Sequence, residues 1–255
     1  MGKIKDFIRL FLSFAKKKPY KVKLNKDFVE LQHLQIRSDN EFFYGYYDKS
    51  PESEGKVLFH EMQSDEKSVK IIVENAINGE EKVIAQTTAF NWQMGARAIW
   101  IDDDIVSYND FDGEKYVCKW FSLSKNHVVK AFDKPLQDYK GGNYFLGVNY
   151  QRLRSYAKEY AYYCLPEMSE SEYDDYEHDG IWKVDVNTRE MNLVLSIAEI
   201  LKFEHIDRFD KGKHFLNHIM MSPNGSSFIF TSNPQPIGFS GILLAKRQNS
   251  FYCTY

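Results

Sequence analysis

The stretch that decides the fold is Tyr44-Gly-Tyr-Tyr-Asp-Lys-Ser-Pro-Glu-Ser-Glu-Gly-Lys-Val-Leu-Phe-His60. It contains an aromatic run, a Ser-Pro turn closed by Gly55, and a short apolar strand. The chain repeats this pattern far downstream as His218-Ile-Met-Met-Ser-Pro-Asn-Gly-Ser-Ser-Phe-Ile-Phe-Thr231. Pro51 and Pro223 lie 172 residues apart, or four intervals of 43. A strand–turn–strand unit that recurs every ~40–45 residues has the period of a propeller blade.

The composition favours a mainly β protein and argues against several classes of function. Of 255 residues 16% are aromatic, and short β-branched runs are frequent, which favours strands over helices. A net charge of −3, without a basic stripe, gives no indication of nucleic-acid binding. Three widely spaced cysteines indicate free thiols in a reducing compartment. The sequence has no Ser-His-Asp order, phosphate-binding loop, dinucleotide fingerprint or zinc spacing.

The first segment, residues 1–20, is predicted to be a leader with a basic amphipathic helix over Met1–Lys18. Its uncharged stretch, Leu10–Ala15, is too short for the core of a signal peptide or for a membrane span. Two interpretations stay open: the helix packs on the domain or frays, or it lies on an anionic membrane surface. The sequence therefore predicts a cytoplasmic protein, with possible peripheral contact at the inner membrane face through residues 1–18.

Residues 21–231 are predicted to form the blades of an all-β propeller, each blade a four-stranded sheet. An extended strand over Lys21–Arg37 is expected to close the ring beside the last blade. Hairpin signals follow at regular spacing, and the strongest is Asn78-Gly79, because both residues tolerate a positive φ. Three complete units run from about residue 43 to 196, and half of a fourth covers His214–Thr231.

The tail, residues 232–255, is predicted to be irregular. Asn233-Pro-Gln-Pro breaks the strand pattern, Ile237–Ala245 is apolar without alternation, and no second hairpin signal follows. About three and a half blades are too few for a closed ring, since propellers have about four to eight. The interpretation is an incomplete propeller, from a chain that is truncated relative to a longer protein.

Six stretches carry a resemblance to a known family. In chain order they are Tyr44–Pro51, Phe90–Gly95, Tyr108–Asp110, Arg152–Leu153 with Tyr160–Tyr162, Asp179–Trp182 and Phe215–Gly225. Together they resemble the TolB-like and oligogalacturonate-lyase-like β-propellers often encoded among bacterial cell-surface polysaccharide genes. The resemblance covers about residues 40–230 and ends near Thr231, where such proteins continue with a basic-aromatic segment and further blades.

The similarity to oligogalacturonate lyase implies one chemistry. Enzymes of that kind hold a divalent metal such as Mn²⁺ on His and Gln side chains and abstract a proton next to a uronate carboxylate. The resemblance places His218 and Gln93 as metal ligands here. His214 or Asn217 would be a further donor, and Arg152 would pair with a substrate carboxylate. The alternative for His218 is a hydrogen-bonded structural role, because His214 and His218 on one straight strand would lie about 13 Å apart.

Other side chains are predicted to lie where the blades open onto a central funnel. Tyrosines stack on sugar rings and donate hydrogen bonds at a small entropic cost. The opposite interpretation is that the amides tie adjacent blades together and that Asp48 caps a turn beside Ser50. The long acidic, Tyr-rich segment 150–179 either contacts a sugar or is a solvated loop. The candidate ligand-binding residues are Tyr44, Tyr46, Tyr47, Asp48, Asn91, Trp92, Gln93, Asn109, Arg152, Tyr160, Tyr162, Asn217 and His218.

Two functions follow from these residues. The preferred one is a non-catalytic propeller that binds a glycan or a partner protein in bacterial surface-polysaccharide metabolism, with no cofactor. The alternative is a metal-dependent polysaccharide (oligouronate) lyase, or a related glycan enzyme, which would use Mn²⁺ or another divalent cation. The lyase predicts three or more His or Gln donors that converge on one point.

Overall fold

The computed structural model describes residues 40–203, 212–235, 242–247 and 250–254. The chain separates into two units, Met1–Asp39 and Asn40–Tyr255, and all described residues belong to the second. The predicted N-terminal helix and the predicted closing strand over Lys21–Arg37 therefore lie outside the described residues.

The first two sheets follow the sequence pattern closely. All strand pairs are antiparallel, and the strand order within each sheet is the order along the chain. In the turn between the strands Val69–Asn75 and Glu81–Thr87 of the first sheet, Gly79 takes φ +69°, a conformation that favours glycine. The first sheet contains β1 (Phe42–Phe43), β3 (Lys56–Met62), β4 (Val69–Asn75) and β5 (Glu81–Thr87), with β2 (Glu52–Ser53) paired to β3; the second contains β6 (Ile99–Trp100), β7 (Ile105–Phe111), β8 (Tyr116–Ser122) and β9 (His127–Phe132).

Two more antiparallel sheets follow. The third has three strands, and the fourth has four. The third contains β10 (Tyr144–Gly147), β11 (Gly180–Asp185) and β12 (Met191–Ser196); the fourth contains β13 (Lys213–Met221), β14 (Ser227–Gln235), β15 (Ile242–Arg247) and β16 (Ser250–Thr254).

The structure corrects the expectation of an irregular tail. β15 pairs with β14, and β16 pairs with β15, so a second hairpin does follow His214–Thr231. The proline at 234 does not end β14, because Pro234 lies beyond Ser232, the last residue of β14 that pairs with β15. No ladder bond to β15 is lost there. Pro234 pairs with His214 of β13 on one side only, and a proline in such a position is compatible with a strand.

Short helices occupy much of the predicted loop 150–179. α1 (Tyr150–Tyr156) begins after Asn149, whose side-chain oxygen accepts the Gln151 N–H at 3.0 Å. A 3₁₀ turn (Lys158–Tyr160) and α2 (Glu170–Tyr173) follow, and α3 (Ile197–Phe203) comes directly after β12. In the part of the chain that the structure describes, no helix is long and apolar enough to cross a bilayer.

The core is divided into clusters between successive sheets. Buried side chains of the first and second sheets pack together around Leu58 and Val106, and those of the second and third around Trp120 and Val184. The largest cluster joins the third and fourth sheets and takes in the α1 side chains, with Tyr150 at its centre. Each sheet is therefore stabilised mainly by apolar contact with its neighbours in the sequence.

Gly180 is a sensitive test of the packing between β11 and β12. A Cβ at this position would lie 2.0 Å from the Leu195 carbonyl oxygen and 2.8 Å from the Ser196 Cα. Because backbone atoms of a paired strand cannot move aside, we expect Gly180→Ala to lower the free energy of unfolding by about 3 kcal/mol. Gly225→Asn is the matched control, since Gly225 has φ +66° in open surroundings and Asn tolerates that conformation. Equal urea midpoints for the two variants would contradict this account of the packing.

Candidate functional site

The candidate residues divide into three groups in the structure. Trp92, Gln93 and Asn91 line one large cleft, whereas Tyr46, Tyr47, Asp48 and His218 line a smaller cavity. The others are buried or held by the fold. Sequence reasoning placed all of them at one funnel, but the described side chains do not converge on one point.

Four candidates are structural. Asn109 is fully buried, and its amide bonds both the backbone carbonyl and the N–H of Leu136, at 2.8 and 2.7 Å. Tyr162 is fully buried and stacks on Tyr150, with ring centroids 4.1 Å apart. Asn217 is buried in β13. Tyr44 packs against the apolar core and donates to the Ser50 carbonyl at 2.9 Å. Asn109 therefore fits the alternative interpretation, in which the amide side chains hydrogen bond adjacent segments together.

Arg152 does not have the predicted role of a substrate carboxylate partner. Its Nε donates to the Asp179 carboxylate at 2.6 Å, and its Nη1 donates to the backbone oxygen of Tyr173 at 2.6 Å. The guanidinium also lies over the rings of Tyr173 and Tyr176, with 4.5 and 5.5 Å to the centroids. A buried guanidinium needs this many partners to offset its desolvation, so it orders segment 150–179 and is closed to a ligand.

Asp48 does not cap the Ser50 turn and instead binds Arg97. The two carboxylate oxygens accept from Nη1 and Nη2 of Arg97 at 2.8 and 2.7 Å, and both side chains are nine-tenths buried or more. Burial alone would raise the pKa of Asp48, but the Arg97 hydrogen bonds and charge hold that pKa below its ordinary value. The turn is closed by Ser50, whose hydroxyl accepts the Glu52 N–H at 3.1 Å.

A second buried ion pair lies beside the first. The Lys49 ammonium binds Asp138, and the other oxygen of Asp138 accepts the Met221 N–H at 2.6 Å. The Nε of Arg97 donates to the Gln137 carbonyl at 2.7 Å. These bonds connect segments that precede or end strands of all four sheets, so the ion pairs fix the sheets relative to one another.

The smaller cavity, here called the His218 cavity, has a volume of about 240 Å³. The His218 ring stacks on Tyr46 at 5.5 Å and meets the edge of Tyr160 at 4.9 Å. Burial lowers the pKa of His218, and the charge of Arg97 lowers it further, so the imidazole is neutral at neutral pH. Both Arg97 and His218 have positive φ, +51° and +49°, and such conformations persist only where the surrounding structure enforces them.

The donors proposed for a metal do not fit one. His218 lines the His218 cavity, whereas Gln93 lines the other cleft. A bulge between Asn217 and Met220 bends β13, but His214 contacts Tyr176 while His218 contacts Tyr46 and Tyr160, so the two imidazoles have different surroundings. Within the described ranges, no group of three or more His, Cys, Asp or Glu side chains could hold a metal ion. We derive no step through a metal.

The larger cavity, here called the Trp92 cleft, has a volume of about 780 Å³, within the usual range of about 300–1,000 Å³ for ligand pockets. Its aromatic side chains include Trp92, 54% exposed, and Tyr163, 53% exposed. Exposed rings of this size on a concave surface are typical of binding sites. The lining residues are Glu66, Lys67, Thr88, Phe90, Asn91, Trp92, Gln93, Phe111, Lys158, Glu159, Tyr163 and Cys164.

The walls of the Trp92 cleft are held in place from behind. Asn91 closes its own turn, accepting the Gln93 and Met94 N–H groups at 3.0 and 2.8 Å, and its Nδ2 donates to the Tyr160 carbonyl at 2.9 Å. The Tyr163 hydroxyl donates to the Lys158 carbonyl at 2.9 Å. A preorganised surface loses less entropy on binding, which favours affinity.

Comparison with solved structures identifies the architecture. The chain aligns over 84% of its length with TolB from Acinetobacter baumannii, at 13% identity, a TM-score of 0.50 and 43% of that chain. It aligns equally well with oligogalacturonate lyase from Vibrio parahaemolyticus, at 13% identity, a TM-score of 0.50 and 53% of that chain. The fold is that of a β-propeller.

The predicted propeller fold is thus confirmed, and so is the predicted likeness to TolB-like and oligogalacturonate-lyase-like folds. A further match, to prolyl endopeptidases, covers 84% of this chain and 28% of that one, with 11% identity and a TM-score of 0.50. This chain spans about half or less of the length of these three proteins. No family model matches the sequence, and no curated protein does.

The sequence analysis did not identify Arg97 of the buried ion pairs, Tyr163 of the Trp92 cleft, or the buried His60. Arg97 stands in the small-residue run Ala96-Arg-Ala98, and a lone charge in such a run is a signal for a buried ion pair. Tyr163 lies in the Tyr-rich segment 150–179, and no local sequence signal distinguishes it from the other tyrosines there. His60 ends the opening stretch, is fully buried, and accepts the Ala96 N–H on Nε2 at 3.1 Å.

Breaking the Asp48–Arg97 pair should strongly destabilise the propeller. Asp48→Asn leaves the Arg97 guanidinium buried without a counter-charge, which costs about 3–5 kcal/mol of unfolding free energy. Asp48→Leu combined with Arg97→Met should recover part of that loss, since neither charge is then buried. Asp103→Asn, in an exposed turn, is the control. Urea unfolding measures all three, and a destabilisation of Asp48→Asn no larger than that of Asp103→Asn would contradict the structural role.

The pH dependence of stability should carry a contribution from His60. Burial lowers the pKa of His60 from 6.5 to about 4, so the unfolded chain binds more protons between these values. The contribution of His60 to the free energy of unfolding is therefore fully present above pH 6.5. It falls as the pH drops towards 4, by up to about 3 kcal/mol. We expect His60→Gln to unfold with a flatter pH profile than the wild type between pH 4.5 and 6.5. Parallel profiles in urea titrations would exclude the contribution.

Proposed function

We propose that this chain is a non-catalytic β-propeller that binds a glycan in the Trp92 cleft. The observation that carries the proposal is the pair of half-exposed aromatic rings, Trp92 and Tyr163, fixed on a cavity of about 780 Å³. Sugar rings present apolar C–H faces that pack on aromatic rings, and their hydroxyls hydrogen bond to planar polar groups. Gln93 supplies such a group at the same surface.

The charges of the cleft support a hydrogen-bonding ligand. Lys67, Lys158, Glu66 and Glu159 all line it, and among the described residues none of the four side chains forms an ion pair. Because two cations and two anions cancel at long range, the cleft does not select a ligand by net charge alone. Their polar ends remain available for hydroxyl, amide or carboxylate groups of an oligosaccharide.

The proposed setting is bacterial surface-polysaccharide metabolism, and its support is the resemblance of the chain's motifs to propellers found with such genes. A partner protein is the other ligand class considered, and an aromatic cleft of this size also suits a peptide side chain. The lyase alternative has weaker support, because its donors do not converge. A cytoplasmic location, with contact to the inner membrane through residues 1–18, stays a prediction that concerns residues outside the described part.

Glycan binding should depend on the Trp92 ring. In a titration of a panel of neutral and acidic bacterial oligosaccharides, we expect a hit to change the intrinsic fluorescence, because Trp92 is half exposed at the cleft. Trp92→Ala should weaken binding about tenfold or more, and Trp92→Phe should retain part of it. Calorimetry with the same sugar measures the affinities without relying on the fluorescent residue.

The control is Ile77→Ala, which truncates an exposed apolar side chain that does not line the cleft. It should bind as the wild type does. No binding to any sugar of the panel, or equal affinity of wild type and Trp92→Ala, would refute the proposal. Cleavage of an oligouronate that requires Mn²⁺ would instead favour the lyase.

A further inference from the structure

A line of stacked rings connects the Trp92 cleft to the buried imidazole of His60. The Trp92 ring packs on Phe43 with centroids 4.9 Å apart, and Phe43 in turn stacks on His60 at 5.0 Å with an interplanar angle of 18°. Trp92 is half exposed, whereas His60 is fully buried. The exposed platform of the cleft is therefore backed by a titratable group.

His60 also supports the turn that carries Trp92. Its Nε2 accepts the Ala96 N–H at 3.1 Å, so the neutral ring carries its proton on Nδ1. The ring lies flat against Gly95: a Cβ there would stand 2.3 Å from the His60 Cε1. The backbone of Gly95 exchanges hydrogen bonds with Asn91, which closes the turn around Trp92. A displacement of the imidazole must therefore move this turn or open a gap behind it.

Among the described residues, no acidic side chain faces His60 to offset a proton on its ring, and the backbone groups of Tyr44 and Phe43 offset only part of the effect of burial. The elements packed against the ring present Phe43 from β1, Ile71 from β4, and Gly95 with Ala96 from the turn, and none of these titrates. The neighbouring titratable side chains are committed elsewhere. Tyr44 donates to the Ser50 carbonyl, and Glu61 faces Lys70, with 3.6 Å between the charged atoms. Protonation would also replace the acceptor at Nε2 by a donor that faces the Ala96 N–H, so the two groups would repel.

We propose that His60 is a positioning residue for the Trp92 platform, and that its protonation displaces the platform and releases the ligand at acid pH. The release rests on the proposed glycan-binding function, whereas the displacement of Trp92 does not. Burial supports this behaviour because it lowers the pKa of His60 to about 4, which keeps the platform in place near neutral pH.

The displacement can be measured without any ligand. The chain has four tryptophans, so incorporation of 5-fluorotryptophan gives four ¹⁹F resonances, and Trp92→Phe assigns the one from Trp92. We expect the Trp92 resonance to shift between pH 6 and 4 while those of Trp100, Trp120 and Trp182 stay in place. A simultaneous change of all four resonances would mean that acid unfolds the protein globally, and would overturn the proposal.

His60→Gln distinguishes a pH-dependent positioning role of His60 from a purely structural hydrogen bond to the Ala96 N–H. The amide oxygen of glutamine can accept the Ala96 N–H but does not titrate, so the Trp92 resonance should lose its pH dependence. His178→Gln, at an exposed histidine, and His218→Gln, at the His218 cavity, should keep it. An unchanged shift in His60→Gln, or its loss in His218→Gln, would overturn the proposal. If His60→Gln does not fold, the His60 ¹³Cε1 titration of the wild type must share the midpoint of the Trp92 shift.

The affinity measurement then tests the consequence for binding. With a sugar identified in the panel, the wild type should bind about twofold more weakly at pH 4 than at pH 7, because about half of His60 is protonated at pH 4, and His60→Gln should bind equally at both. If no sugar binds but the Trp92 resonance shifts as described, the proposed function fails and the role of His60 stands. If sugar binds through Trp92 at both pH values without a shift, the proposed function stands and the role of His60 is refuted.

Discussion

The buried Asp48–Arg97 ion pair is the constraint on which the arrangement of the sheets depends. Asp48 lies between β1 and β2 of the first sheet, Arg97 precedes the second sheet, and the Arg97 Nε donates to the chain just before the third. The adjoining Lys49–Asp138 pair extends the connection to the end of β13 through the Met221 N–H. Two of the three apolar clusters join only neighbouring sheets, whereas these polar bonds connect segments of all four. Such a network stabilises only when every member is satisfied.

The fixed frame explains why two separate surfaces arise. The Trp92 cleft and the His218 cavity share no lining residue. Tyr160 nevertheless contacts a residue of each, because its carbonyl accepts a hydrogen bond from Asn91 and its ring contacts His218. The Asp48–Arg97 ion pair lies in the wall of the His218 cavity, where its two charges neutralise each other. The Trp92 cleft instead presents two half-exposed aromatic rings, which is why glycan binding is proposed there.

Much of the fold could be predicted from the sequence, because alternation and turn residues are local signals. The hairpin at Asn78-Gly79 and the strands on either side of it are examples. Trp92 and Gln93 were also found, since their motif precedes a strand. Arg152 was misassigned because a guanidinium fork fits a buried carboxylate as well as a ligand's. No local sequence signal distinguishes a buried carboxylate partner from a ligand's carboxylate. Likewise, no local signal predicts that Asp48 pairs with Arg97, 49 residues further along the chain.

The separation of the core into clusters between successive sheets also bears on how the chain folds. Strands within the first, second and fourth sheets are close in sequence, so these sheets can form through contacts that close short loops and therefore form quickly, whereas the third sheet pairs β10 with β11 across residues 148–179. The charged centre, formed by the Asp48–Arg97 and Lys49–Asp138 pairs, cannot form within a single sheet. Asp138 has its partners only when segments from the first, third and fourth sheets are together. Until then the charges are solvated, and burying them early is unfavourable. We therefore expect the first, second and fourth sheets to form early and independently, and docking around the charged centre to be the slow, cooperative step.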